Sequence, residues 1–301
     1  MKIFIKPFLL LAITLTLGCN NSDKKTLLID FDKDPFLTKS GVDFSIKNYS
    51  AKEKFGDIIK VGLSDKSDLN HYKYTESRVK SIDFRTIGGN LIKTYNQNII
   101  IKTVLKDRVR FDYMFSNTNN LILLHKIELL NDTTIIDRLY IPKDGVSPEQ
   151  NFNEADYNYQ AKTLYKLNHC NKIEQITEYH NSPFPDSDKE SVYFTYYFYD
   201  KNCKLIRKED INDDRKCTER KNFSYAGGLL KKTEKWFPMG KYLFQENFAT
   251  IYEMSTYDYF PDNNNWNKRV ERRKIKWIVN KDTTFSYNEN YIIERKIKNK
   301  R

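Results

Sequence analysis

The chain is 301 residues long, with 39% hydrophobic residues, 21 tyrosines and 19 phenylalanines against ten glycines, and a formal charge of +11. At about 100–200 residues per domain this means one large or two modest domains with ample core. No apolar stretch reaches the roughly 20 residues of a spanning helix, which excludes a helical integral membrane protein.

The first element is a leader. Lys2 and Lys6 precede an apolar run from Phe8 to Leu17 that ends in Gly18-Cys19, the pattern of a secretion signal over residues 1–18. Leu15-Thr16-Leu17-Gly18-Cys19 resembles the lipobox of bacterial lipoproteins. The resemblance implies removal of residues 1–18, a lipid on Cys19 and a polar tether over residues 19–26. It places the protein in the bacterial cell envelope as an outer-membrane lipoprotein, held to the membrane by its N-terminal lipid.

Residues 27–141 predict a β-rich domain. Val42 to Ile46 and Val109 to Phe115 alternate with period two, while Ile99 to Leu105 and Leu121 to Leu130 are more continuously apolar, as buried strands are. Turn residues fall at Gly88-Gly89-Asn90, Asn117 to Asn120 and Asn131-Asp132. Ser50 to Glu53 fits a capping box and predicts one short helix. Pro142 to Asn158, with Gly145 and Pro148 and no apolar period, predicts a linker over 142–158.

Residues 159–301 predict antiparallel hairpins. Tyr193 to Lys208 alternates, breaks at Asp200 to Cys203 and resumes at Leu205-Ile206. Tyr165 to Ile176, Phe223 to Lys232 and Tyr257 to Arg269 are looser versions of the same unit. Lys268 to Val279 puts Ile275, Trp277 and Val279 on one face; turns at Asn280 to Asp282 and Asn288 to Asn290 then predict a closing three-stranded meander. The fold class is mainly β, an antiparallel sheet of meander hairpins with little helix, in two β-rich domains.

Tyr199, Asp200, Lys204 and Leu205 resemble the degenerate tyrosine-aspartate repeats of Rhs-type bacterial surface proteins. Tyr257, Tyr259, Asn265, Trp266, Lys268 and Arg269 resemble the Tyr-x-Tyr-Asp, Asn-Trp-x-Lys-Arg pattern of envelope lipoproteins. The resemblance implies an antiparallel sheet and carries no catalytic residue.

The charge excess is local: Trp266 to Arg301 holds twelve lysines and arginines against four acids. Lys268, Arg269, Arg272, Arg273, Lys274 and Lys276 are therefore the candidate surface for an anionic lipid or glycan, or for another envelope protein. An envelope protein rarely meets nucleic acid, so none is expected. The alternative is a solvated lysine face guarding a sheet edge. Beyond Cys19 there are three cysteines, Cys170, Cys203 and Cys217, which permits one disulfide and one thiol; Cys203 with Cys217 is the candidate pair.

His169-Cys170 lacks the CxxC spacing of a zinc site, and neither metal nor cofactor is expected. Asp30 and Asp32 after Leu27-Leu28-Ile29 resemble the first motif of haloacid-dehalogenase-type phosphatases, nucleophile and acid/base, but that chemistry needs strand-helix alternation. A calcium loop starting at Asp30 fails at Pro35 and Gly41. GxSxG, HExxH and phosphate-loop motifs are missing from the sequence. The leading expectation is a non-enzymatic envelope lipoprotein that binds a macromolecule or an anionic surface. An envelope-anchored immunity protein, a lipid carrier and an aspartate-dependent phosphatase are the alternatives.

Overall fold

Aromatic and β-branched residues alternating with polar ones set side chains on opposite faces of an extended chain, and this pattern builds nearly all of the structure. The computed structural model describes residues 44–63, 81–87, 90–95, 99–106, 109–116, 118–146, 152–180, 191–238, 249–261, 267–279 and 282–297. The first eight strands are β1 (Phe44–Lys54), β2 (Asp57–Leu63), β3 (Ser81–Ile87), β4 (Asn90–Tyr95), β5 (Ile99–Lys106), β6 (Val109–Phe115), β7 (Leu121–Asn131) and β8 (Thr134–Pro142). Nine follow: β9 (Tyr157–Leu167), β10 (Ile173–His180), β11 (Ser191–Tyr199), β12 (Leu205–Ile211), β13 (Cys217–Ala226), β14 (Leu229–Pro238), β15 (Thr250–Phe260), β16 (Lys268–Val279) and β17 (Asp282–Ile297). Among the described residues the only helical element is the 3-10 turn Glu154–Asp156. The fold is mainly β and antiparallel.

From β3 to β17 every strand pairs with the next, β17 pairs back onto β1 (Phe44↔Ile297 to Ala51↔Asn290), and β1 pairs onto β3. The seventeen strands less β2 therefore form a closed ring. Closure removes the free edges that an open sheet presents for aggregation. β2 lies outside the ring, joined to β1 through a two-residue turn in which Phe55 (φ 56) and Gly56 (φ 85) both take left-handed backbone.

Four other hairpins share a different turn. In Asn168 to Lys172 and Asp200 to Lys204 the first residue exchanges backbone hydrogen bonds with the fourth and fifth, and its side-chain oxygen accepts two more N–H groups. Asn212 to Lys216 and Ser116 to Asn120 repeat the backbone pattern with one such side-chain bond each. The fourth residue is left-handed every time: Asn171, Cys203, Arg215 and Asn119. That is why Asn, Asp and Ser recur at these turn starts.

Strand registers connect one face of the sheet around the ring, and burial shows which face is inner. Thr103, Asp112, His125, Tyr165, Ser255, Tyr257, Arg269, Glu271 and Ile293 all lie on one face and are at most 8% exposed. This inner wall carries charge. Asp112 accepts from Thr103 at 2.7 Å and from Arg110 at 2.9 and 2.6 Å. Asp137 faces His125 Nδ1 at 2.9 Å and accepts from the Tyr165 hydroxyl at 3.4 Å. Buried charges paired and hydrogen-bonded in this way avoid most of the desolvation penalty. The opposite face carries Lys126, Glu128, Arg138, Arg207, Glu209, Arg220, Glu234 and Lys274 and is the outer wall.

On the inner wall Glu219 sits 2.9 Å from Lys235. Burial works to raise its pKa, but Lys235, Lys208 and Lys221 together outweigh burial and hold the carboxyl below its ordinary value. A depressed carboxylate stabilises the fold above the unfolded pKa, near 4.3 for Glu, and loses that contribution as pH falls through the folded value. Glu219→Gln is therefore expected to flatten the acid limb of stability. Urea midpoints at pH 7 and pH 3 should differ less in the variant than in the parent chain.

Two expectations change. Ser50 to Glu53 is not a helix: it lies within β1, where pairing with β17 and β2 overrides a local capping box. Asn288 to Asn290 is not a turn, because β17 runs unbroken through it with Asn288 and Asn290 opposite Lys274 and Arg272. The strands on either side of 142–158, β8 and β9, are hydrogen-bonded neighbours from Thr134↔Lys166 to Pro142↔Tyr157. The described residues thus form one continuous sheet.

Candidate functional site

The basic residues of β16 divide between the two walls, since neighbours on a strand point opposite ways. Lys268, Arg272, Lys274 and Lys276 are outer. Arg269 is fully buried, its guanidinium 5.0 Å from the Tyr257 ring and its register partner Tyr259 across the ladder. Arg273 is inner too: its Nη2 donates to Glu271 at 2.8 Å, and its guanidinium lies 5.0 Å from the Tyr291 ring. Arg272 is also engaged, with Asp258. The six-residue cationic surface expected from sequence is thus at most four residues wide.

The disulfide is Cys170–Cys203, and Cys217 is a free thiol, in place of the expected Cys203–Cys217 bridge. Cys203 lies in the β11–β12 turn, whereas Cys217 begins β13 beyond the next turn. The seven residues of β12 separate those two turns by about 20 Å at roughly 3.3 Å per residue, far beyond a disulfide's reach. Cys170 sits in the β9–β10 turn at the same end of the ring, with its Cα 6.2 Å from that of Cys203. His169 lies close to both sulfurs, which the disulfide uses. Cys19, Asp30, Asp32, Asn265 and Trp266 fall outside the described residues.

Among the described residues a concave feature lies on the outer wall. Residues 152–156, which lead into β9, lie over the outer face of β6 to β8 and set Phe152 against Phe111, Tyr140 and Tyr157 at centroid distances of 5.5, 5.5 and 5.3 Å. That cover explains why Phe111, Leu124 and Tyr140 are buried although they face outward. Asn153 caps the following 3-10 turn by accepting from the Ala155 N–H, and Lys143 pins it by donating to the Ala155 carbonyl at 2.7 Å. The turn thereby holds Glu154 over the sheet.

Beneath the overhang is a cleft of about 580 Å³ lined by Lys126, Glu128, Arg138, Tyr140, Glu154, Tyr157 and Tyr159. The Lys126 ammonium lies 3.3 Å from Glu128, 3.5 Å from Glu154 and 5.4 Å from the Phe152 ring. Arg138 pairs with Glu128. The Tyr140 hydroxyl donates to Glu154 at 3.1 Å; its burial, with that carboxylate as acceptor, pushes its pKa up to about 12, so it remains a donor at neutral pH. The two cations and two carboxylates balance, and every charge has a counter-charge within the cleft. Tyr159, 46% exposed and 5.9 Å from Tyr140 ring to ring, is the most exposed ring of the lining. The arrangement is suited to holding a polar, uncharged molecule by hydrogen bonds.

Sequence reasoning missed this site because its overhang lies in the segment read as a linker. The available signal was Phe152 followed by Asn153 and Glu154, an aromatic anchor ahead of a capping residue, in a stretch with no apolar period.

No family model matches the chain, and no curated relative matches it either. Among solved structures the chain is similar to a porin-like protein from Bacteroides uniformis, with 10% identity, 84% of this chain and 96% of that one covered, and a TM-score of 0.26. A likeness that weak carries no argument about function.

Proposed function

We propose that the protein is a cell-envelope lipoprotein, tethered through a lipid on Cys19, whose closed sheet stands in water and binds another envelope molecule without transforming it. The observation that carries this reading is the outer wall. A ring of strands that spans a bilayer needs an outward apolar band about 25 Å tall, and each Lys or Arg at the midplane costs roughly 2–4 kcal/mol. Here Lys126, Arg138, Arg207 and Arg220 face outward from four different strands, paired with Glu128 and Glu209. Such a wall suits water, so membrane attachment falls to the N-terminal lipid. The lipobox-like Leu15 to Cys19 stretch supports that assignment.

Radiolabelled palmitate is expected to label the parent chain and not Cys19→Ala. With residues 1–19 replaced by a cysteine-free cleavable leader, the secreted protein is expected to be soluble without detergent. A need for detergent after that replacement, or an unlabelled parent chain, would remove the reading.

A further inference from the structure

We infer that the cleft beneath Glu154 is a binding site for a neutral oligosaccharide, an inference that rests on the proposed role as a binding protein and names its ligand class. Three features of the cleft select that chemistry. Its charges cancel locally, Lys126 and Arg138 against Glu128 and Glu154, so an anionic or cationic ligand meets a like charge as often as an opposite one. Its lining alternates donors and acceptors. Carboxylate oxygens, an ammonium, a guanidinium and the Tyr140 hydroxyl are spaced within a few ångströms, and vicinal hydroxyls satisfy such groups two at a time. Its lining includes the half-exposed Tyr159 ring, an apolar face suited to stacking on the C–H face of a pyranose.

The size agrees. A volume of about 580 Å³ is within the roughly 300–1,000 Å³ of small-molecule sites, and the cleft lies along an outward wall, so a chain longer than the cleft runs on over the sheet. The site is also held in place. The Phe152 packing, the Asn153 cap and the Lys143 bonds fix the overhang, and the Tyr140 hydroxyl orients Glu154. An acidic glycan would fit the basic outer residues of β16, but these lie on strands distant from the cleft in the ladder.

The test is an immobilised array of neutral tetrasaccharides of glucose, xylose, mannose and N-acetylglucosamine, beside tetragalacturonate and an acidic peptide, probed with the purified full chain. Binding to at least one neutral sugar is expected, followed by titration calorimetry with that sugar. Tyr159→Ala should weaken its affinity at least tenfold and Glu154→Gln severalfold, with circular dichroism unchanged because Tyr159 is half exposed. Binding only to the acidic probes, or to none, overturns the ligand class. Sugar binding that Tyr159→Ala leaves intact overturns the location. A chain that is lipidated and water-soluble beyond its anchor yet binds no neutral sugar sinks this inference alone; a bilayer-inserted chain sinks the reading beneath it.

Discussion

Glu271→Ala is expected to cost about 3–5 kcal/mol of unfolding free energy, the range for removing one partner from a buried ion pair. Glu271 has no exposed surface, and its Oε1 accepts from Ser255 at 3.1 Å and from Arg273 at 3.2 and 2.8 Å. Arg269, two residues before it on the same face, is also fully buried. Removing the carboxylate leaves positive charge concentrated in a dry wall. The comparison is Asp258→Ala on the outer face, whose partner Arg272 is about half exposed; such a pair is worth at most about 1 kcal/mol. Urea unfolding of the two variants should separate them by several kcal/mol. Equal, small losses would show that water reaches Glu271, and that burial does not identify the inner wall.

The two-residue period was legible in the sequence, and with it the class of fold; which parity faced inward was not. β6, Val-Arg-Phe-Asp-Tyr-Met-Phe, shows the difficulty. A reader placing apolar residues inside would bury Phe111 and Tyr113 and expose Arg110 and Asp112. The structure turns Arg110 and Asp112 inward, where Thr103 helps satisfy them, and buries Phe111 outward beneath Phe152. Both outcomes depend on partners 9 to 41 positions away along the chain, beyond any local pattern. Ring closure was hidden for the same reason: Phe44 meets Ile297 and Phe84, pairings that no turn residue announces. Turn chemistry, being local, was read well at Asp200 to Cys203, and Tyr165 to Ile176 was read as the same unit with a turn of its own; no local pattern announced that this matching turn, with Cys170, stands beside that of Cys203.

That matching turn sets up the other large effect. Replacing Cys170 and Cys203 together by serine is expected to cost about 3–4 kcal/mol, because the bond closes a loop with a sequence separation of 33 in the unfolded chain. The native fold brings the two turns together without it. The Tyr199 hydroxyl donates to the Ile173 carbonyl at 2.6 Å, tying the same two hairpins, and burial keeps that phenol protonated well above neutrality. The loss should therefore appear as freedom gained by the unfolded chain, with little change in the folded sheet's far-ultraviolet spectrum. Cys217→Ser, which removes a half-buried thiol that forms no bridge, should cost far less. Thiol titration of the unfolded, unreduced mature protein should find one reactive group, Cys217. Three would show that Cys170 and Cys203 are not joined; one that persists in Cys217→Ser would show that the pairing is not Cys170 with Cys203. Since such bonds persist in oxidising compartments, the one-thiol result would also agree with a chain that folds outside the cytoplasm.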